Sequence, residues 1–334
     1  MTNTTEIVPD LENRTRQPSA LAVEIPPSRR TGKDDPSMYI PDPGLVDAMR
    51  AALLLRRPLL LTGEPGTGKT QAAHYLNWKL GYGKTALRFD AKSTSTARDL
   101  FYTYDTIGRF YAAQTKEGSQ NNVDYIRYNS LGEAILRANE WDNIQKFVPS
   151  GFPHSGHPSQ SVVLIDEIDK APRDFPNDVL NEIEHMRFRV PELGNIEFAA
   201  EEAFFPVLVM TSNSEKNLPA AFLRRCLYYN IPKPDQNRFS EIVNLRLGVD
   251  TSSALMKDAL DFLFFLRGSE ADLSKKPATA ELLDWILLLQ ARGAQPAQQF
   301  HNIQAIVEST LPTIVKDETR NPKDLLKTWL ERRG

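Results

Sequence analysis

Eight consecutive residues, Gly63-Glu64-Pro65-Gly66-Thr67-Gly68-Lys69-Thr70, have the types and spacing to hold a phosphate chain. They fit the pattern glycine, four residues, then Gly-Lys-Ser/Thr. Glycines let the backbone curl so that several N–H groups point at one anion. Lys69 supplies a compact positive charge for the β- and γ-phosphates, and the Thr70 hydroxyl is placed to ligate Mg²⁺. A second run, Ser161-Val162-Val163-Leu164-Ile165-Asp166-Glu167, ends an apolar stretch in two carboxylates. Asp166 suits holding Mg²⁺ through water, and Glu167 suits polarising an attacking water as general base. Asn213 follows a third apolar run and could orient that water, although a turn-forming asparagine is the plainer alternative. Arg224 and Arg225 precede a last short strand; they are either a solvated surface or a source of a guanidinium for a neighbour's γ-phosphate.

The flanking segments must position these groups. Pro58-Leu59-Leu60-Leu61-Thr62 reads as a buried strand, and Gln71 to Leu76 continues as a helix whose N-terminus faces the phosphates. Four apolar residues before Asp166 predict a strand buried on both faces, whose end borders a ligand crevice. Pro206 to Asn213 predicts another, and Leu227 to Ile231 a last one. A helix is expected from about Pro43 to Arg56, a strand at Ala86 to Asp90, a capped helix start at Ser95 to Phe101, and an amphipathic helix from Ser130 to Trp141. A helix carrying Phe175, Val179, Leu180, Ile183 and Met186 precedes a hairpin pattern around Pro191-Glu192-Leu193-Gly194. From Pro234 onward only helical stripes remain.

Composition bounds the rest. The chain has 334 residues, room for two domains, and a formal net charge of −3 that exerts no overall pull on nucleic acid or anionic membrane. Its single cysteine, Cys226, suits a reducing cytoplasm. No apolar run reaches transmembrane length, and the N-terminus lacks the order of a signal peptide. Residues 1–36 are polar and proline-rich and read as a disordered tail. His154 and His157 share a loop without a supporting cysteine or carboxylate cluster, which disfavours a metal site there.

Taken together, these blocks resemble an AAA+ ATPase, and within that superfamily the MoxR-like group of the helix-2-insert clade. Gly63 to Thr70 matches Walker A, and Val162 to Glu167 matches Walker B. Asn213 falls at the sensor-1 position, and Arg225 matches the arginine finger better than Arg224. The resemblance implies a three-layer αβα core with a parallel sheet in the order 5-1-4-3-2 over residues 37–233. It implies a helix-2 insertion at about 101–130, a pre-sensor-1 hairpin at about 187–198, and an all-α lid over 234–334. One departure stands out. Where the lid would carry a sensor-2 arginine, this chain has Lys275-Lys276-Pro277-Ala278-Thr279-Ala280.

Such relatives imply ATP and Mg²⁺ as cofactors and a homo-oligomer, a hexameric ring with nucleotide between subunits. They imply remodelling of a client protein complex, often beside a von Willebrand A domain protein. Two other readings remain open at this stage: a nucleic-acid-associated or GTP-using motor of the same clade, and a nucleotide switch with low turnover. Arg187 and Arg189 of the hairpin favour the first only weakly, because Glu192 and Glu197 accompany them.

Overall fold

The computed structural model describes residues 35–115, 118–213 and 218–333. Most of the stretch expected to form a tail, residues 1–34, lies outside the described residues. Asp35 caps a 3-10 turn, Pro36–Met38, in which Pro36 is buried.

Helix α1 (Pro43–Leu55) starts at Asp42, whose carboxylate accepts from the Gly44 and Leu45 amides at 3.0 and 3.4 Å. It buries Leu45, Met49 and Ala52 and ends where Arg56 turns left-handed. Strand β1 (Leu59–Thr62) is buried along its length, and helix α2 (Lys69–Lys79) follows the glycine-rich loop. Strand β2 (Leu87–Asp90) leads to a 3-10 turn, Ala97–Leu100, closed by a Thr96–Asp99 capping box. That turn stands where an α-helix start was expected: Phe101 bends away and the chain enters strand β3 (Tyr102–Tyr104). Helix α3 (Thr106–Thr115) then separates β3 from its antiparallel partner, β4 (Ile126–Tyr128).

Helix α4 (Ser130–Arg137) is shorter than its apolar stripe suggests. Asn139 donates its side-chain amide to the Ile135 carbonyl at 2.7 Å, satisfying a helix-end acceptor, and the chain restarts as a single turn, α5 (Trp141–Ile144). Strand β5 (Val162–Asp166) follows. The next helix is split at Val179 into α6 (Phe175–Asp178) and α7 (Leu180–His185). Strands β6 (Arg187–Val190) and β7 (Ile196–Ala199) form an antiparallel hairpin. Strand β8 (Val207–Thr211), the turn of helix α8 (Ala220–Leu223) and strand β9 (Leu227–Asn230) complete the sheet-bearing part.

Five strands form one parallel sheet, β2-β5-β8-β1-β9. Numbered among themselves, they stand in the order 5-1-4-3-2, as the resemblance implies. Side chains alternate across it. Leu60, Val163, Ile165, Leu208 and Met210 enter one apolar cluster, while Leu59, Leu61, Val162, Leu164 and Val209 enter another. Both faces are covered by helices, which is why the strand sequences are continuously apolar rather than alternating. The carboxyl ends of β1, β5 and β8 open onto one crevice.

Beyond β9 the described chain is helical: α9 (Gln236–Leu247), α10 (Ala254–Arg267), α11 (Thr279–Ala291), α12 (Gln304–Thr310) and α13 (Pro322–Glu331). These helices share their own apolar cluster, centred on Phe262, Trp285, Phe300 and Trp329. The buried Trp285 indole donates to Thr310 Oγ1 at 2.9 Å, so its polar edge is satisfied. Asp258, also buried, accepts from the Phe300 amide and pairs with Arg333.

Candidate functional site

A cavity of about 870 Å³ lies between the phosphate loop, the ends of β5 and β8, the Tyr39 segment and the first turns of α9 and α11. Its size is that of an ordinary small-ligand site. Gly66, Gly68, Lys69, Thr70, Asp166, Glu167 and Asn213 all border it. Gly66 and Gly68 have φ of +79° and +87°, conformations costly for any residue with a Cβ. They also have close neighbours: a Cβ on Gly66 would sit 2.5 Å from the Ala278 Cβ, and one on Gly68 would sit 2.9 Å from the Tyr39 ring. The loop is therefore held between the chain segment before α1 and the start of α11.

Lys69 is only 7% exposed, and its ammonium donates to the Gly63 and Glu64 carbonyls at 2.8 and 3.0 Å. Burial pushes it below the usual lysine range, while Asp169, Asp166 and Glu167 pull it back up. Thr70 Oγ1 lies 3.1 Å from both oxygens of Asp166, although the two residues are 96 positions apart. Thr211 Oγ1 donates to Asp166 Oδ1 at 2.5 Å and accepts from the Glu167 amide at 2.8 Å. A threonine hydroxyl and a carboxylate converging beside a phosphate loop are hard oxygen donors. Among the described residues no group of three or more histidines, cysteines or carboxylates is placed to enclose a metal. That donor set fits Mg²⁺, which keeps waters and takes phosphate oxygens rather than filling a protein cage.

Glu167 follows β5 in a left-handed conformation, φ 56°. Asn213 Nδ2 donates to Glu167 Oε1 at 3.3 Å, and the Asn213 amide donates to Asp169 Oδ1 at 3.3 Å. Lys170 binds the other Glu167 oxygen, and this bond, joined by that of Asn213, draws the carboxyl below the usual range. Glu167 is thus ionised at neutral pH and aimed at the cavity.

Arg225 is not brought into this cavity. Its Nε lies 3.3 Å from Glu184 on α7, and half its side chain is exposed. Arg57 donates to the backbone carbonyls of Arg224 and Arg225, fixing the turn that presents them. Lys275 and Lys276 are exposed and do not line the cavity.

Several contacts at the site escape a reading by motif. Glu64 points out of the loop toward Lys233, 2.5 Å away, and Arg267 at the end of α10, 3.3 Å away. Arg267 also donates to the Pro277 carbonyl at 2.6 Å, tying the α11 lead-in to the loop. Arg238 and Arg246 of α9 border the cavity. Arg88, from β2, reaches Asp166 Oδ2 at 2.9 Å. The one local signal for Arg88 is a charge in a strand that must lie beside β5.

This arrangement defines a phosphate-loop nucleotide-binding protein of the αβα type. Residues 58–226, about half of the chain, match the family described as AAA domain (dynein-related subfamily), and the chain belongs to that family. Its members are, as a class, ATP-hydrolysing phosphate-loop proteins. Among solved structures, the chain is similar to domain III of the replication initiation protein DnaA from Thermotoga maritima. That match has 14% identity over 85% of this chain and 98% of that one, with a TM-score of 0.43. It is similar to a point mutant of RuvB from Thermotoga maritima at 15% identity, covering 84% of this chain and 72% of that one, TM-score 0.44. Hsp104 in its closed state with ATPγS and casein matches at 16% identity over 73% of this chain and 43% of that one, TM-score 0.42. No curated protein matches the sequence. Among the described residues, no helix is long and apolar enough to cross a membrane.

Proposed function

We propose that this chain hydrolyses MgATP at the interfaces of a ring of identical subunits and uses the resulting motion to remodel or activate a client protein complex in the cytoplasm. In this reading it is a MoxR-like member of its family, acting beside a von Willebrand A domain partner. The observation that carries the reading is the convergence of Lys69, Thr70, Asp166, Glu167 and Asn213 on one cavity. A pure binding switch has no need of a base held by an amide.

The loop amides and Lys69 bind the phosphates; Lys69 must exchange its contacts with Gly63 and Glu64 for phosphate oxygens. Thr70 and Asp166 would hold Mg²⁺, which would supply charge neutralisation to the β- and γ-phosphates. Glu167 and Asn213 orient the attacking water in line with the γ-phosphate, and catalysis is mostly positioning. Arg225, outside its own chain's cavity, serves the nucleotide of the next subunit. In this reading the core spans 37–233 and the lid 234–334, with Ala278 packed at Gly66 and Arg267 paired with Glu64 of the loop. The nucleic-acid reading draws no support from the hairpin, where Arg187 and Arg189 both pair with Glu197, at 3.7 and 2.8 Å.

Steady-state hydrolysis measured against protein concentration tests the reading. Parent turnover should rise with assembly, Glu167→Gln should bind ATP without turnover, and Arg225→Ala should assemble but hydrolyse roughly 10³-fold more slowly. An Arg225→Ala ring as active as the parent would remove the shared site.

A further inference from the structure

Asp90 and Asp166 are register partners on neighbouring strands β2 and β5. Two like charges directly opposite each other repel. The Arg88 guanidinium sits between them: its NH2 is 2.6 Å from Asp90 Oδ1 and 2.9 Å from Asp166 Oδ2, and its Nε donates to Asp90 Oδ1 at 2.8 Å. The two carboxylates differ in their need for it. Asp166 has a side chain only 6% exposed, whereas the Asp90 side chain is 59% exposed. Lys69, another cation at the site, is bonded to loop carbonyls. Among the described residues, Arg88 is the cation in ion-pair contact with Asp166.

Resting on the nucleotide-binding reading above, we propose that Arg88 is a positioning residue that Mg²⁺ with its water shell must replace at Asp166, with Asp90 as the seat to which it retires. A buried carboxylate without a counter-charge is unfavourable, so Asp166 needs a cation before the metal arrives. Arg88 fills that need by charge, as an ion pair at 2.9 Å. On loading, it releases one contact and keeps two on Asp90, so no charged group is left unpaired. The exchange sets a threshold: the metal competes with a tethered arginine, and nucleotide without metal leaves Arg88 in place.

The test is the Mg²⁺ dependence of binding of a fluorescent, non-hydrolysable ATP analogue, with metal-free affinity as reference. Arg88→Gln should lower the half-saturating Mg²⁺ concentration about fivefold, in line with a partly exposed ion pair. Asp90→Asn should raise it, because Arg88 then has Asp166 as its only seat, and in the double variant that rise should vanish. Arg88→Lys, which keeps the charge, should stay near the parent. A purely structural role predicts that both single variants shift the same way or not at all, and either result overturns the proposal. Should Arg88→Gln not fold, an unchanged or lowered Mg²⁺ requirement in Asp90→Asn does so alone. A parent that binds no analogue at any Mg²⁺ concentration refutes the nucleotide reading itself, which is a different outcome.

Discussion

Replacing Gly66 by alanine separates two costs that usually come together. Gly66 and Gly194 share a φ of +79°, so alanine meets the same left-handed penalty at both, about 1–2 kcal/mol. Their surroundings differ. Around Gly194 a Cβ meets nothing within 4 Å, whereas at Gly66 it meets the Ala278 Cβ at 2.5 Å. Carbon atoms pack best at about 3.5–4.0 Å, so the start of α11 must retreat by about 1 Å. Overpacking of that kind costs about 1–3 kcal/mol. Gly194→Ala should therefore lower the melting temperature by about 2–8 °C and leave nucleotide affinity alone. Gly66→Ala should carry at least the same loss and, in addition, weaken binding of an ATP analogue roughly 5- to 150-fold, because retreat of α11 opens the cavity. Adding Ala278→Gly should restore most of the affinity but none of the loss due to φ. Melting curves and fluorescence titrations on the four proteins measure this. If Ala278→Gly leaves Gly66→Ala unimproved, the loop and α11 are not in contact and the argument fails.

Two further outcomes follow from charge and burial. Glu167 has a carboxyl pKa depressed by Lys170 and Asn213, so its contribution is present above the ordinary carboxyl range and is lost only as pH falls through the depressed value. Lys170→Met removes the largest cause, so the acidic limb of a turnover–pH profile should move to higher pH; a limb that stays or moves lower contradicts the assignment. Burial pushes the Cys226 thiol up to about 12, with Arg57 opposing weakly, so the folded protein should resist alkylation at mildly alkaline pH. Modification should appear only through the unfolding transition, read by mass spectrometry, and rapid labelling of native protein would place Cys226 outside the core.

The elements most legible in the sequence were those whose signal is contiguous. Leu59 to Thr62 and Val162 to Asp166 are short apolar runs between polar ends, and such runs form strands wherever a sheet can cover both faces. Legibility fell where tertiary contacts compete with periodicity. The stripe from Ser130 to Trp141 promised one helix, but the Asn139 amide reaches back to Ile135 and the helix stops at Arg137. The Ser95 to Phe101 stretch carried an authentic cap in Thr96 and Asp99, yet the chain makes only a 3-10 turn, because it must enter β3 to pair with β4. Aromatic packing of Phe101 on Phe188, at 5.2 Å between ring centres, fixes that turn and joins residues far apart in the chain.

By itself the sequence determined the phosphate loop, the paired carboxylates and membership of the AAA class at large. Each is written in adjacent residues whose backbone needs and chemistry are local: glycines at φ values that side chains resist, a lysine and a threonine at the head of a helix, acids at the end of a buried strand. Only the tertiary structure decided which groups complete the site. Arg267 meets Glu64 across 203 positions, Thr70 meets Asp166 across 96, and Arg88 lies between two carboxylates because β2 and β5 are neighbours in register. Strand order and the approach of α11 set these meetings, and both follow from burying apolar surface over the whole chain rather than from any local pattern.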